Sequence, residues 1–143
     1  MINFSKRLIE LMQDFNINEK ELANYLEMDY VSMIYDWKNE ICLPNFSNII
    51  KIADLFKVNL DYLLGLTQNI EEVISKAIPP FPEHFKHILK INNSSQYELL
   101  KHNIVSRGHL NSWLKNGNLP SIENLVKIAD FLNISIDELV GRV

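Results

Sequence analysis

Cysteine, glycine and positive charge are all scarce in this chain, and each shortage closes off a class of function. The single Cys42 allows neither an internal disulfide nor a thiolate-rich metal site, so it reads as a turn or buried residue. Four glycines form no loop of the kind that cradles a phosphate. No nucleophile stands in motif spacing with a base, and no carboxylate pair is set apart from surface charge. The chain is therefore not expected to be an enzyme, and no cofactor is expected. Apolar runs such as YLLGL at residues 62–66 fall far short of the roughly 20 residues that cross a bilayer. No basic segment followed by a long apolar one opens the chain, and a cytoplasmic protein with no membrane attachment is expected. Net charge is -4, which argues weakly against a phosphate backbone as partner until charge is sorted by region. What remains is ordinary globular composition, 47% hydrophobic and 22% charged. The length suits one ordinary domain or two very small ones.

An internal repeat settles that choice. LPNFSNIIKIADLFKVNLDYLLG (residues 43–65) returns as LPSIENLVKIADFLNISIDELVG (residues 119–141), and Trp37 and Trp113 keep the same register. Upstream of the tryptophans the offset grows by one: Phe4 pairs with Phe81, Leu8 with Phe85, Leu11 with Ile88, Leu22 with Leu99. One extra residue is expected in the first copy between Met28 and Ile34.

Each copy reads as five short helices. Phe4, Leu8, Leu11, Met12 and Phe15 recur at helical spacing. A second helix opens at a capping box, Asn18 with Glu21 or Ser95 with Glu98. A third ends near the tryptophan, and Pro44 or Pro120 punctuates the turn that follows. The fourth carries Ile49, Ile52, Ala53, Leu55 and Phe56, matched by Leu125, Ile128, Ala129, Phe131 and Leu132. The last stops at Gly65 or Gly141, where glycine takes the left-handed cap. Between the copies, Ile70, Val73, Ile74 and Ala77 predict an additional helix, followed by a stiff connection at Pro79, Pro80 and Pro82. The expected architecture is all-α: domains at residues 1–67 and 82–143, joined by a short helical, proline-rich linker at 68–81.

These residues, above all SQYELLKHNIVSRGHLNSWLKNGNLP (residues 95–120) and KIADFLNISIDELVG (residues 127–141) in the second copy, resemble the lambda-repressor and Cro-like helix-turn-helix family, the XRE class. KELANYL (residues 20–26) with residues 43–65 carries the resemblance in the first copy. It implies two tandem five-helix domains. In each, the third helix would enter the major groove of double-stranded DNA while the amino end of the second sits against phosphate. Glycine, which usually marks the turn between these helices, is missing from both copies. Asn103 can take the left-handed conformation there at modest cost, whereas Glu27 is poorly suited to it. The small residue expected in the second helix is present as Ala23 but replaced by Leu100.

The copies differ in charge. Residues 1–67 hold 6 Lys and Arg against 10 Asp and Glu, whereas residues 82–143 hold 7 against 6 and all four histidines. Gln96 stands where the family contacts phosphate and can donate an amide hydrogen; Glu19 stands there in the first copy and would be repelled. On the third helix of the second copy, Val105, Leu110 and Trp113 should face the core. Ser106, Arg107, Gly108, His109, Asn111, Ser112 and, just beyond, Lys115 are left as candidates for DNA contact. Arg107 and Asn111 are the first choices for base reading, because arginine grips guanine and asparagine grips adenine in bidentate fashion. Gly108 would allow close backbone approach. In the first copy Tyr30, Val31, Ser32, Tyr35 and Lys38 are weaker candidates, for DNA or for protein. Asp29 and Asp36 oppose groove insertion, and Tyr30, Met33, Ile34 and Tyr35 either fill the core or form a protein-binding patch. His84, His87, His102 and His109 have no partner at metal-site spacing and read as ordinary imidazoles.

The resemblance and the charge split imply a repressor-like transcription regulator that binds double-stranded DNA, chiefly through the second domain. A homodimer is expected, with a protein partner available to the first domain. The alternative is a protein-binding module on a helix-turn-helix scaffold, antitoxin-like or a phage-encoded inhibitor, with little DNA affinity.

Overall fold

The computed structural model of the chain describes residues 1–74 and 76–143. The chain folds as two compact units, Met1–Ile74 and Ser75–Val143. The first contains α1 (Phe4–Asp14), α2 (Glu19–Tyr25), α3 (Ser32–Lys38), α4 (Phe46–Phe56) and α5 (Leu60–Leu63). The second contains α6 (Phe81–Ile91), α7 (Gln96–Lys101), α8 (Arg107–Leu114), α9 (Ile122–Leu132) and α10 (Ile136–Val140). Among the described residues there is no strand beyond an isolated bridge between Val58 and Glu72. None of the helices is long and apolar enough to cross a membrane.

In the first unit α1 buries Phe4, Leu8, Leu11 and Met12, one stripe at helical spacing, and packs against α3 and α5. The tryptophan of the third helix is the main tie. Trp37 is buried and meets Phe4 edge-on at 6.3 Å; Trp113 is buried and meets both Phe81 and Phe85 edge-on at 6.3 Å. Burying one such ring removes roughly 150–250 Å² from water, worth at most about 4–6 kcal/mol. Each third helix is thus anchored on its inner face, which leaves the opposite face to solvent.

Helix ends follow the side chains available. Asn18 and Glu21 form the full capping box on α2. On α7 the box is half made: Ser95 Oγ accepts from the Glu98 N–H at 3.2 Å, but the Glu98 carboxylate lies 3.5 Å from His102 instead. Asn45 caps α4, and Ser121 and Ser135 cap α9 and α10. Gly65 and Gly141 have φ of +73° and +89°, and both are also pressed on by neighbours. A Cβ on Gly65 would lie 2.8 Å from the Asn3 carbonyl oxygen, and one on Gly141 would lie 2.6 Å from Pro79.

Two expectations are corrected. No helix forms over residues 70–74 or 76–77, and Ser75 lies outside the described residues. Instead, residues 69–73 run beside the link between α4 and α5 at residues 57–59, tied down by Asn59. Its Oδ1 accepts from the Glu71 N–H at 2.8 Å, its Nδ2 donates to the Asn69 carbonyl at 3.3 Å, and Val73 N donates to the Lys57 carbonyl at 3.2 Å. Val73 is buried. These long-range bonds satisfy the backbone that a local helix would have satisfied, and they attach the segment to the first unit.

The extra residue also falls elsewhere. Glu27 (φ 58°) and Asn103 (φ 55°) are the left-handed residues of the two turns, and both precede their tryptophan by ten positions. Equivalent closing bonds run from Met28 N to the Ala23 carbonyl and from Ile104 N to the Leu99 carbonyl, each 2.9 Å. Upstream of these, α2 has 7 residues and α7 has 6. The difference therefore lies inside the second helix, before Glu27 rather than after Met28.

Candidate nucleic-acid interface

In the second unit α7, the turn through Asn103 and α8 form a helix-turn-helix. Val105, Leu110 and Trp113 are buried beneath α8. Ser106 is its N-cap: the hydroxyl accepts from the His109 N–H at 3.1 Å, and the Ser106 N–H donates to His109 Nδ1 at 3.2 Å. A histidine here takes the part usually played by Glu or Gln in a capping box. Because Nδ1 accepts, the ring proton of neutral His109 belongs on Nε2. The ring is further held by stacking on Trp113, 5.5 Å between centroids with planes 5° apart. Ser106 and His109 therefore fix the start of α8, and their free bonding capacity is smaller than sequence spacing suggests.

Arg107 occupies the first position of α8 and Asn111 lies one turn on, so the two share a face; both are exposed. Among the described residues the Arg107 guanidinium meets no carboxylate at ion-pair distance. Gly108 is exposed too, and a Cβ there would meet nothing closer than Ser106 Oγ at 3.7 Å. Packing within the chain does not call for glycine at that position. Ser112 is half-buried, its hydroxyl accepting from Asn118 Nδ2 at 2.9 Å, which pins the loop after α8. Lys115 at the C-cap and Gln96 at the start of α7 are exposed. Residues 96–114 carry Lys101 and Arg107 against Glu98, a mildly positive surface before any histidine is protonated.

The matching face of the first unit is different in kind. Val31 holds the N-cap position of α3 in a helical conformation and provides no side-chain cap. Ser32 is exposed, Ile34 is buried with Trp37, and Tyr30, Met33 and Tyr35 are exposed. Of the apolar residues in and before α3 whose placement was open, Ile34 alone goes to the core. Lys38 is engaged: its ammonium forms an ion pair with the Glu19 carboxylate and lies 5.6 Å from the Tyr35 ring centre. The bond from Lys38 holds the Glu19 carboxyl below its ordinary value, with a backbone N–H adding to the effect. Glu19 and Lys38 stand 19 positions apart, and no local spacing rule would have paired them. The His109 cap was more accessible, since Ser-x-x-His has capping-box spacing. Among the described residues no three His, Cys, Asp or Glu side chains gather as metal ligands would.

Residues 90–139 match the family model described as Helix-turn-helix, so this segment, with α7 and α8 inside it, is a helix-turn-helix domain. The chain is also 43% identical over 53 residues to a protein named "Cryptic phage CTXphi transcriptional repressor RstR" from Vibrio cholerae serotype O1 (strain ATCC 39315 / El Tor Inaba N16961). The aligned stretch is 37% of this chain and 47% of that relative, so the chain spans about half of the relative's length. No solved structure matches the chain.

Proposed function

We propose that this protein is a non-enzymatic, repressor-like transcription regulator that binds double-stranded DNA in a sequence-specific way, with α8 of the second unit as its main reading helix. The observation that carries the reading is Arg107 and Asn111 exposed one turn apart on a capped helix, within the segment that matches the helix-turn-helix family. Arg107 would read guanine and Asn111 adenine. Gln96 and Lys115 would hold phosphates, Gly108 would let the backbone approach, and Ser106, His109 and Ser112 would orient the helix and contribute what bonding capacity they have left. The repressor activity named for the relative fits this assignment.

The first unit is a divergent copy of the same five-helix domain that leaves base reading to the second. The helix order, the left-handed turn residues in register and the tryptophan tie support that view. Two copies of the chain would then present two α8 helices to half-sites about one DNA turn, roughly 34 Å, apart. The test is selection from a random duplex pool at low salt, followed by footprinting and sedimentation of the complex. A two-fold site bound by a dimer is expected, with affinity falling steeply as salt rises. Absence of any sequence preference overturns the proposal.

A further inference from the structure

We propose that the α2–α3 face of the first unit is a docking groove for an arginine-bearing segment of a partner protein, with an apolar side chain of that segment as its anchor. An open groove of about 570 Å³ lies there, lined by Ala23, Met28, Val31, Tyr30 and Tyr35 among others. Tyr30 is 77% exposed and Tyr35 46%. Core formation does not need them, because Ile34 and Trp37 already fill the inner face of α3. Large rings left in water beside an apolar groove mark a protein-binding surface more often than a bland one.

Charge selects the occupant. Glu19 and Asp29 line the groove with Lys20, and the surrounding stretch, residues 19–38, adds Glu21, Glu27 and Asp36 against Lys38. Lys38 is already taken by Glu19, which leaves Lys20 as the cation lining the groove. Phosphate is disfavoured at such a surface, and a second copy of the same acidic face would be repelled. A guanidinium suits it, stacking on a tyrosine face while a neighbouring carboxylate takes its N–H groups. This unit already uses that chemistry internally, with the Arg7 guanidinium 3.7 Å from the Tyr62 ring centre. Asp29, beside Tyr30 and lining the same groove, would supply the carboxylate. The inference does not depend on DNA reading by α8, which lies in the other unit.

The experiment pans a phage-displayed library of random dodecapeptides on the full-length chain. The Tyr30→Ala and Asp29→Lys variants serve for counter-selection, once their circular dichroism and melting match the parent. Selected peptides are then titrated by fluorescence anisotropy. The expected result is enrichment of Arg together with a large aliphatic or aromatic residue, and affinity at least about tenfold weaker in either variant or when the peptide Arg is changed to Glu. Absence of enrichment, an acidic consensus, or affinity unchanged in both variants overturns the proposal. So does self-association abolished by Tyr30→Ala, which would assign the face to a second copy, or loss of duplex binding in that variant, which would assign it to DNA.

Discussion

The third helices α3 and α8 hang from the same kind of anchor, a buried tryptophan edge-on to phenylalanine in the apolar stripe of the unit's first helix, yet their outer faces have opposite chemistry. In α8 a serine caps the helix, and the arginine beside it meets no carboxylate among the described residues. In α3 the N-cap is a valine without a side-chain cap, the exposed residues are Ser32, Met33 and Tyr35 with Tyr30 just before them, and the lysine is paired within the chain. The two units therefore share a similar inner anchor while their outer faces differ in charge and polarity. The inner face is constrained by packing density and the outer one only by solubility.

The comparison can be broken most forcefully at its shared feature. Trp113→Ala and Trp37→Ala should each destabilise their own unit by about 3–5 kcal/mol. A chemical denaturation curve followed by circular dichroism should show the affected half unfolding early. If either substitution is mild, the tryptophan is not the common tie. At the interface, Arg107→Ala should weaken binding to the selected duplex by about 10–100-fold, whereas Ser32→Ala in α3 should change it by no more than about twofold; an electrophoretic mobility series reads both. Equal losses would erase the functional difference drawn between the units.

Asn59→Ala removes two bonds that hold residues 69–71 and should cost about 1–3 kcal/mol, with faster amide exchange at Glu71 and Val73. Ser135→Ala, at the matching position of the second unit, should cost about 1 kcal/mol as a lost cap and leave residues 69–73 unaffected. Gly108→Ala has room for its methyl group and should raise the stability of the second unit by about 0.5–1 kcal/mol. It should weaken duplex binding if the DNA backbone or a base approaches there. Unchanged affinity would remove Gly108 from the interface.

The smallest effect concerns the Glu19–Lys38 pair. The Glu19 carboxyl titrates below its ordinary value of 4.5 in the folded chain. Its stabilising contribution is therefore complete above that value and is lost as pH falls through the folded one. The pair is partly exposed, so the contribution should not exceed about 1 kcal/mol. Glu19→Gln should flatten this part of the acid limb of a pH–stability curve. Lys38, released by that change, should raise non-specific duplex affinity slightly; a fall instead would contradict the view that Glu19 sequesters it.

Much of this was legible in the residues. Helical periodicity located the α1 stripe apart from Phe15, which is exposed; Asn18 with Glu21 announced the start of α2, and Gly65 and Gly141 announced the ends of α5 and α10. Register between Leu-Pro, KIAD and tryptophan sets the two halves in step along the chain. The inward set Val105, Leu110 and Trp113 followed from the same spacing. The extra helix expected from Ile70, Val73, Ile74 and Ala77 does not form over the described residues, because only Val73 of the four finds a core to enter, while Ile70, Ile74 and Ala77 are exposed. Val73 is buried in an extended segment that Asn59 holds against the first unit, and no window of neighbouring residues contains that bond. Likewise the extra residue of the first copy could be placed within α2 only from the positions of Glu27 and Asn103 in left-handed geometry.

Backbone sterics, capping and the period of apolar side chains act over a few residues, so the chain alone specified the helices, their ends and the faces they turn inward. Which outward groups remain available was decided by packing. Folding brought Glu19 to Lys38 and laid His109 on Trp113, while Arg107 and Tyr30 were left in solvent. Charge pairing and ring stacking depend on distances in space that positions along the chain do not encode.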